Sequence, residues 1–357
     1  MSSRIKVGIL CGGKSSEHEI SCISANGLLN AIDRDRFEPI LIGITQSGKW
    51  VMPPPDAQLT IRNHTLPVIL ESYPALNADI HGFSFEGKSL EIDVIFPVLH
   101  GPYGEDGTVQ GMLEMSGIKY VGSGVLASAV AMDKSFAKPI FQASGLKVAP
   151  GMVIHQREWS SATKAALLAR ASEFQLPLFV KPARGGSSRG TSKVKTSDQL
   201  ESAIEFAFTF DTKVMIEVGI SGKEIECAIL QTQGVAEASP LGEIVILGEH
   251  EFYDFEAKYL DDSTRVDSPE ELSSQVQDVI RKAAITAFDA LGCEGLARVD
   301  FFYANDGQIY INELNTMPGF TQTSVYPKLW SRTGLSYTEL ISKLIDAALW
   351  RSSDVTR

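Results

Sequence analysis

The sequence is poor in cysteine, has fewer basic than acidic residues, and holds no long uncharged run. Its four cysteines, Cys11, Cys22, Cys227 and Cys293, stand apart, with no Cys-x-x-Cys pair and no histidine at zinc-finger spacing. Neither a disulfide framework nor a structural zinc site is expected, and free thiols suit a reducing, cytoplasmic compartment. Lysine and arginine number 32 against 44 aspartates and glutamates, a formal net charge of −12. A field of that sign opposes binding to a phosphate backbone, so no nucleic-acid partner is expected. The uncharged stretch of residues 120–132 is too short to span a bilayer and is broken by Gly122 and Gly124, so no membrane segment is expected. The first residues lead at once into a short apolar strand, not into the long apolar region of an export signal, and none is expected.

What is present is ordinary globular material in quantity. The 357 residues are 44% hydrophobic and 21% charged, which suggests two or three domains at roughly 100 to 200 residues each. The first third alternates β-branched runs with helical periodicity, the mark of parallel β-α-β units. Residues 5–10 read as a buried strand, and Ser16 with Glu19 forms a capping box that opens a helix to about Ala31. Residues 39–45 and 92–99 read as further strands. Between them, residues 46–91 carry five prolines and little periodicity, and read as a peripheral excursion around the sheet edge. Helices at 123–132 and 133–143 follow. The middle of the chain reads as a compact α+β unit, with strands at 178–181, 191–195 and 214–218 and helices within 160–173 and over 197–210. The last third reads as a strand at 224–231, a long helix over 269–291, two strands and a closing helix from Ser336.

Several motifs carry chemistry. Gly8, Gly13, Lys14 and Ser15 satisfy the Walker A spacing, but Ile9 and Leu10 continue the strand begun at Ile5. The first glycine then sits inside a strand instead of opening a loop, and a P-loop is rejected. A Gly12-Gly13 turn into a helix N-terminus fits better, and leaves Glu17 able to bind a substrate ammonium. His100, followed by a glycine-rich turn to Gly107, stands at the end of a strand, where open α/β sheets bind ligands. The segment from Lys181 through the loop 182–190 has the composition of a phosphate clamp. Glycines there admit backbone amides, and lysine, arginine and hydroxyls add charge and donors.

The strongest local argument lies in residues 298–315. Asp306-Gly307 between two alternating apolar runs predicts a two-residue type I′ hairpin with Asn305 opposite Gln308. That register sets Asp300 opposite Glu313 and Arg298 opposite Asn315, all on one face of the ribbon. Directly opposed Cβ atoms lie roughly 4.5 to 5.5 Å apart, so the two carboxylates call for a cation. A hard ion such as Mg²⁺, taking carboxylate, amide and phosphate oxygens, answers that need. Just beyond, residues 316–320 form a sharp turn whose Gly319 amide, with Arg298, could stabilise a developing oxyanion.

Taken together, the Lys181 clamp and the Asp300, Glu313 and Asn315 site make the chain resemble the ATP-grasp superfamily, and more narrowly the D-alanine:D-alanine ligases. The resemblance rests on Gly12-Gly13 followed by residues 16–21, on Leu99-His100-Gly101 with residues 104–107, and on residues 131–134 and 180–182. It continues through residues 186–188, 253–259, 298–300 and 313–319. It implies an α/β fold, with an N-terminal parallel-sheet domain over 1–132 and a two-part ATP-grasp fold over 133–220 and 221–357. It also implies ATP and two Mg²⁺ ions as cofactors, with Mn²⁺ a possible substitute, two D-alanine molecules as substrates, a homodimer, and a role in peptidoglycan precursor synthesis.

The implied residue roles follow the same resemblance. Glu17 binds the first ammonium and His100 lies near the first substrate. Lys134, Lys181 and Lys258 bind ATP phosphates, and Glu217 and Glu224 reach the adenine and ribose edge. Asp300, Glu313 and Asn315 hold the metal ions. Arg298 and Gly319 form the oxyanion hole, Ser324 binds the second carboxylate with Val325 beside it, and Ser187 and Tyr259 link mobile loops over the site. Tyr259 is also the residue type of dipeptide-forming relatives, where those making D-alanyl-D-lactate carry a histidine, so the dipeptide is favoured; the alternative is a ligase that uses D-lactate or D-serine as acceptor.

Overall fold

The computed structural model describes residues 4–62, 65–247 and 264–351. Three sheets carry the architecture of these residues. The first has the order Trp50–Val51, Phe37–Ile44, Ile5–Gly12, Val94–Pro97, Lys119–Tyr120, parallel throughout except at the Trp50–Val51 edge. Its central strand Ile5–Gly12 is buried from Val7 onward, as befits a strand covered on both faces. The helix His18–Ala31 packs on it, and the chain then returns first to one side of this strand and later to the other. That reversal makes the carboxyl end of Ile5–Gly12 a topological switch point, the usual ligand crevice of such sheets.

The second sheet is antiparallel, in the order Ser192–Val194, Leu178–Pro182, Lys213–Val218, Gly151–His155. Helices Lys164–Ala171 and Leu200–Phe208 cover it around Val180, Ile204 and Ile216. The third runs Thr264–Asp267, Gly242–Ile246, Gly222–Thr232, Leu296–Ala304, Ile309–Asn315, with Val235–Ala238 beside Gly222–Thr232. One face of it, through Ile225, Cys227, Val299 and Phe301, packs on helices Val125–Met132, Lys134–Ala143 and Ser274–Ala290. At the other, Ala228, Leu230 and Leu296 join the core of the first sheet together with the closing helix Tyr337–Trp350. That helix starts at a reciprocal cap, in which Ser336 Oγ accepts from the Glu339 amide and Glu339 Oε2 accepts from the Ser336 amide. All four cysteines are buried and unbridged. Among the described residues no helix is long and apolar enough to cross a membrane.

Three expectations need correction. The first helix begins at His18 with Glu17 as its N-cap and no side-chain cap bond, so the Ser16–Glu19 box is not formed. Ser15 does the local work instead: its hydroxyl accepts from the Glu17 amide at 3.2 Å and donates to the His100 carbonyl at 2.6 Å. Residues 46–91 are also less peripheral than expected. Leu59 and Ile69 are buried in the first core, the Ile69 amide donates to His18 Nε2 at 3.0 Å, and Asn77–Asp79, Gly82–Phe85 and Lys88–Ser89 form a small sheet.

The third correction concerns the hairpin. Ala304, not Asn305, pairs with Gln308, and Gly307 adopts a φ of +81°, giving a three-residue turn. The extra turn residue shifts the register by one, and a bulge at Asn312 shifts it back before the site. Asp300 therefore faces Glu313 and Arg298 faces Asn315 as expected. The bulge also sends two consecutive side chains, Asn312 and Glu313, to the same face, while Ile311 and Leu314 enter the core.

Candidate active site

A cavity of about 530 Å³ lies between the second and third sheets, within the size range of small-molecule sites. Phe179 and Val218 from one sheet, Ile220 from the connection between the sheets, and Ile244 and Phe302 from the other give it apolar walls. Lys134, Lys181, Ser187, Ser188, Asn312 and Glu313 make its polar end. Such a division suits a flat aromatic base at one end and phosphates at the other.

The lysines are held by carboxylates. Lys134 Nζ lies 3.0 Å from Glu313 Oε2 and donates to the Gly185 carbonyl at 2.8 Å. Lys181 Nζ lies 2.7 Å from Glu217 Oε2 and donates to Asn312 Oδ1 at 3.3 Å. Glu217 Oε1 is ion-paired at 2.5 Å with Lys138, a residue the sequence analysis passes over. Burial pushes the Glu217 carboxyl up, but the Lys138 and Lys181 ammoniums outweigh it and hold the group down at about 2. Glu217 lines the cavity, and its two oxygens pair with these two lysines. Glu224 lines the apolar half, beside Ile244 and Phe302.

On the ribbon face, Arg298 donates from Nε and Nη2 to the two oxygens of Asp300, each at 2.7 Å, and its Nε lies 3.1 Å from Glu226 Oε2. Asn315 Nδ2 donates to Asp300 Oδ2 at 3.1 Å, leaving its own amide oxygen as an acceptor. The repulsion between Asp300 and Glu313 is thus balanced in the protein alone by Arg298 and Lys134. Two carboxylates and an amide oxygen beside a lysine-lined cavity still form the hard-oxygen set that a divalent ion takes with phosphate, so the residues fit one.

At the switch point of the first sheet, Glu17 is buried and its Oε1 accepts a hydrogen bond from Ser187 Oγ. Two glycines close on it: a Cβ on Gly101 would meet Glu17 Oε2 at 2.8 Å, and one on Gly186 at 3.1 Å. Ser187 and Ser188 both hold left-handed φ values of +50° and +56°, a strained loop conformation of the kind found at ligand clamps. His100 is buried, with Nδ1 3.1 Å from the Met317 carbonyl and Nε2 3.2 Å from Ser24 Oγ. A carbonyl only accepts, so Nδ1 carries the proton, Ser24 donates to Nε2, and burial lowers the ring's pKa and favours this neutral form. His100 therefore ties the turn at 316–320 to the first sheet. Glu105 accepts from the Gly101 amide at 2.7 Å, and burial followed by the Glu17 charge pushes its carboxyl up to about 8.

Beyond the turn, Gly319 and Ser324 are neighbours, with a Cβ on Gly319 lying 3.2 Å from Ser324 Oγ. Ser324 Oγ accepts from the Thr321 amide at 3.1 Å, and Val325 begins the helix Val325–Ser331. Lys258 and Tyr259 lie outside the described residues. Walker A chemistry has no support: Gly8 is inside the strand, where a Cβ would strike Ile95 Cδ1 at 2.5 Å, and Lys14 Nζ sits 5.2 Å over the Tyr103 ring.

Residues 6–123 match the family described as D-ala D-ala ligase N-terminus, and residues 140–346 match D-ala D-ala ligase C-terminus. The chain belongs to the D-alanine–D-alanine ligase family. A D-alanine--D-alanine ligase of Paenarthrobacter aurescens is 45% identical over 368 residues, covering 99% of this chain and 97% of that one. Among solved structures, the D-alanyl-alanine synthetase A of Vibrio cholerae superposes with a TM-score of 0.84 at 30% identity, covering 98% of this chain and 100% of its own. The VanG D-Ala:D-Ser ligase of Enterococcus faecalis gives a TM-score of 0.83 at 34% identity, covering 97% and 100%. Membership of this ligase family brings the use of ATP and a divalent metal, for which the cavity and ribbon supply the matching groups. The residues that sequence reasoning misses here, Lys138, Asn312 and Glu226, all had a faint signal. Lys138 stands four residues after Lys134 on one helix, Asn312 abuts Glu313, and Glu226 alternates with Glu224 along one strand.

Proposed function

We propose that this chain is an ATP-dependent ligase that joins two D-alanine molecules into D-alanyl-D-alanine, releasing ADP and phosphate, for peptidoglycan precursor synthesis in the cytoplasm. The observation that carries this reading is the bond between Ser187 and Glu17. It connects the loop over a lysine-lined cavity to a buried carboxylate at the switch point of the first sheet. An amino acid whose ammonium pairs with Glu17 would thereby present its own carboxylate towards the phosphate end of the cavity.

In this reading the first D-alanine carboxylate attacks the terminal phosphorus of ATP, and the bond to ADP breaks. The amine of the second D-alanine, having lost its proton, attacks the acyl carbon of the resulting D-alanyl phosphate, and the carbon–oxygen bond to phosphate breaks. Lys134, Lys181 and Lys258 bind phosphate oxygens. Arg298 and the Gly319 amide face the tetrahedral oxyanion, Ser324 with Val325 beside it holds the second carboxylate, and Ser187 with Tyr259 keeps water from the acyl phosphate. Asp300, Glu313 and Asn315 are the residues for two Mg²⁺ ions, or Mn²⁺ in their place, which neutralise charge on the transferred group when bound. Residues 1–132, 133–220 and 221–357 act as substrate domain and two halves of the ATP-grasp fold, in a homodimer.

The test is to incubate the protein with ATP, Mg²⁺ and D-alanine, with and without D-lactate or D-serine, following phosphate and product together. Phosphate release that depends on D-alanine, with D-alanyl-D-alanine as product even beside the other acceptors, is expected. ATP hydrolysis without D-alanine would overturn the assignment, and a D-lactate or D-serine product would overturn the choice of acceptor.

A further inference from the structure

Lys138 is buried, is not itself among the residues lining the cavity, and still holds the carboxylate that holds Lys181. We propose that Lys138 is a positioning residue for phosphate binding: by pairing with Glu217 it leaves the charge of Lys181 available to phosphate oxygens. The inference rests on the reading of Lys181 as a phosphate ligand.

The argument is one of charge count in a confined space. Two ammoniums, Lys138 and Lys181, share one carboxylate, Glu217, and the three side chains are 6%, 14% and 5% exposed. The group of three carries one net positive charge. Lys181 faces the cavity and Lys138 does not, so that charge is directed at the ligand. With Lys138 removed, Glu217 and Lys181 become a neutral pair, and no net positive charge is left at the phosphate end of the cavity. Burial keeps such interactions poorly screened, so the change is felt.

The helix carrying Lys138 is fixed well enough to serve this purpose. Asp133, its N-cap, accepts from Lys213 Nζ at 2.6 Å, which ties the helix start to the second sheet. One turn before Lys138, Lys134 pairs with Glu313 of the third sheet. A single helix thus offers two lysines, four residues apart on one face, to carboxylates from the two sheets that wall the cavity.

Calorimetric titration of the full chain with a non-hydrolysable ATP analogue, and separately with adenosine, tests the proposal. Lys138→Met should weaken the analogue by at least about tenfold, leave adenosine unchanged, and raise the KM for ATP more than it lowers kcat. Lys138→Arg should stay close to the parent. The double variant Lys138→Met with Glu217→Gln removes both charges, keeps Lys181 unneutralised, and should recover affinity for the analogue; it also keeps the test available if the single variant fails to fold. Equal losses for analogue and adenosine, or a double variant as weak as Lys138→Met, would overturn the proposal. Lys181→Met is the separate check: unchanged analogue binding there would overturn the phosphate role of Lys181 itself.

Discussion

Ser187 and Glu17 stand 170 positions apart in the chain and are hydrogen-bonded to one another across the cleft. The bond fastens the glycine-rich loop to the N-cap of the first helix, so loop position and the ammonium-binding carboxylate are set together. Replacing Ser187 with alanine removes the donor while leaving Glu17 in place. Turnover should fall by roughly tenfold or more, with phosphate released in excess of dipeptide as water reaches the acyl phosphate. Phosphate and dipeptide measured in the same reaction check this, and a variant with full rate and a one-to-one ratio would refute the role of the contact.

Glu313→Gln tests the ribbon site. The change keeps the shape of the side chain but removes one charge from the pair with Asp300 and the partner of Lys134. The Mg²⁺ concentration giving half-maximal rate should rise by roughly tenfold, with the fold intact by circular dichroism. An unaltered Mg²⁺ titration would dismiss Glu313 as a ligand.

Lys14 and Lys181 are set against each other by the two possible phosphate motifs. Lys14 lies over Tyr103, while Lys181 lines the cavity between the sheets. Lys14→Ala should keep most of the ATP turnover and Lys181→Ala should lose most of it. Steady-state kinetics with ATP as the varied substrate give the ranking, and the reverse order would restore the P-loop reading.

Glu217 sets an acid limit on stability. Its carboxyl is held at about 2 in the folded chain against an ordinary 4.5, so the folded state binds fewer protons than the unfolded chain between those values. Its contribution is complete above about pH 4.5 and is lost as pH falls towards 2. Urea denaturation of the parent and of Glu217→Gln should show a stability difference at pH 6 that narrows steadily below pH 4.5. A difference that is the same at pH 6 and pH 3 would contradict it.

Much of the site was legible before the fold was known, because its residues sit on regular elements whose periods are visible in one dimension. Strand alternation put Arg298, Asp300, Glu313 and Asn315 on one face, and the structure keeps that pairing. The route to it was not legible. The two-residue turn is a three-residue turn, and the bulge at Asn312 cancels the error. Local turn chemistry fixes only that a reversal occurs near Asp306-Gly307; which residue bulges depends on Ile311 and Leu314 both finding the core. The missing Ser16–Glu19 cap has a similar cause. Glu17 is drawn to Ser187 and Ser15 to His100, partners that no local pattern displays.

By itself the sequence determined the alternation of strands and helices, the burial of the central parallel strand, the lysine at the end of Leu178–Pro182 and the facing acids of the ribbon. These follow from hydrophobic period and short-range geometry, which act between residues a few positions apart. Tertiary structure alone decided which carboxylate each lysine meets, that Glu217 serves two of them, and that His100 bonds to the turn at Met317. Those choices depend on how three sheets pack, and a buried charge takes whichever opposite charge that packing brings within hydrogen-bond distance, because none can remain unpaired away from water.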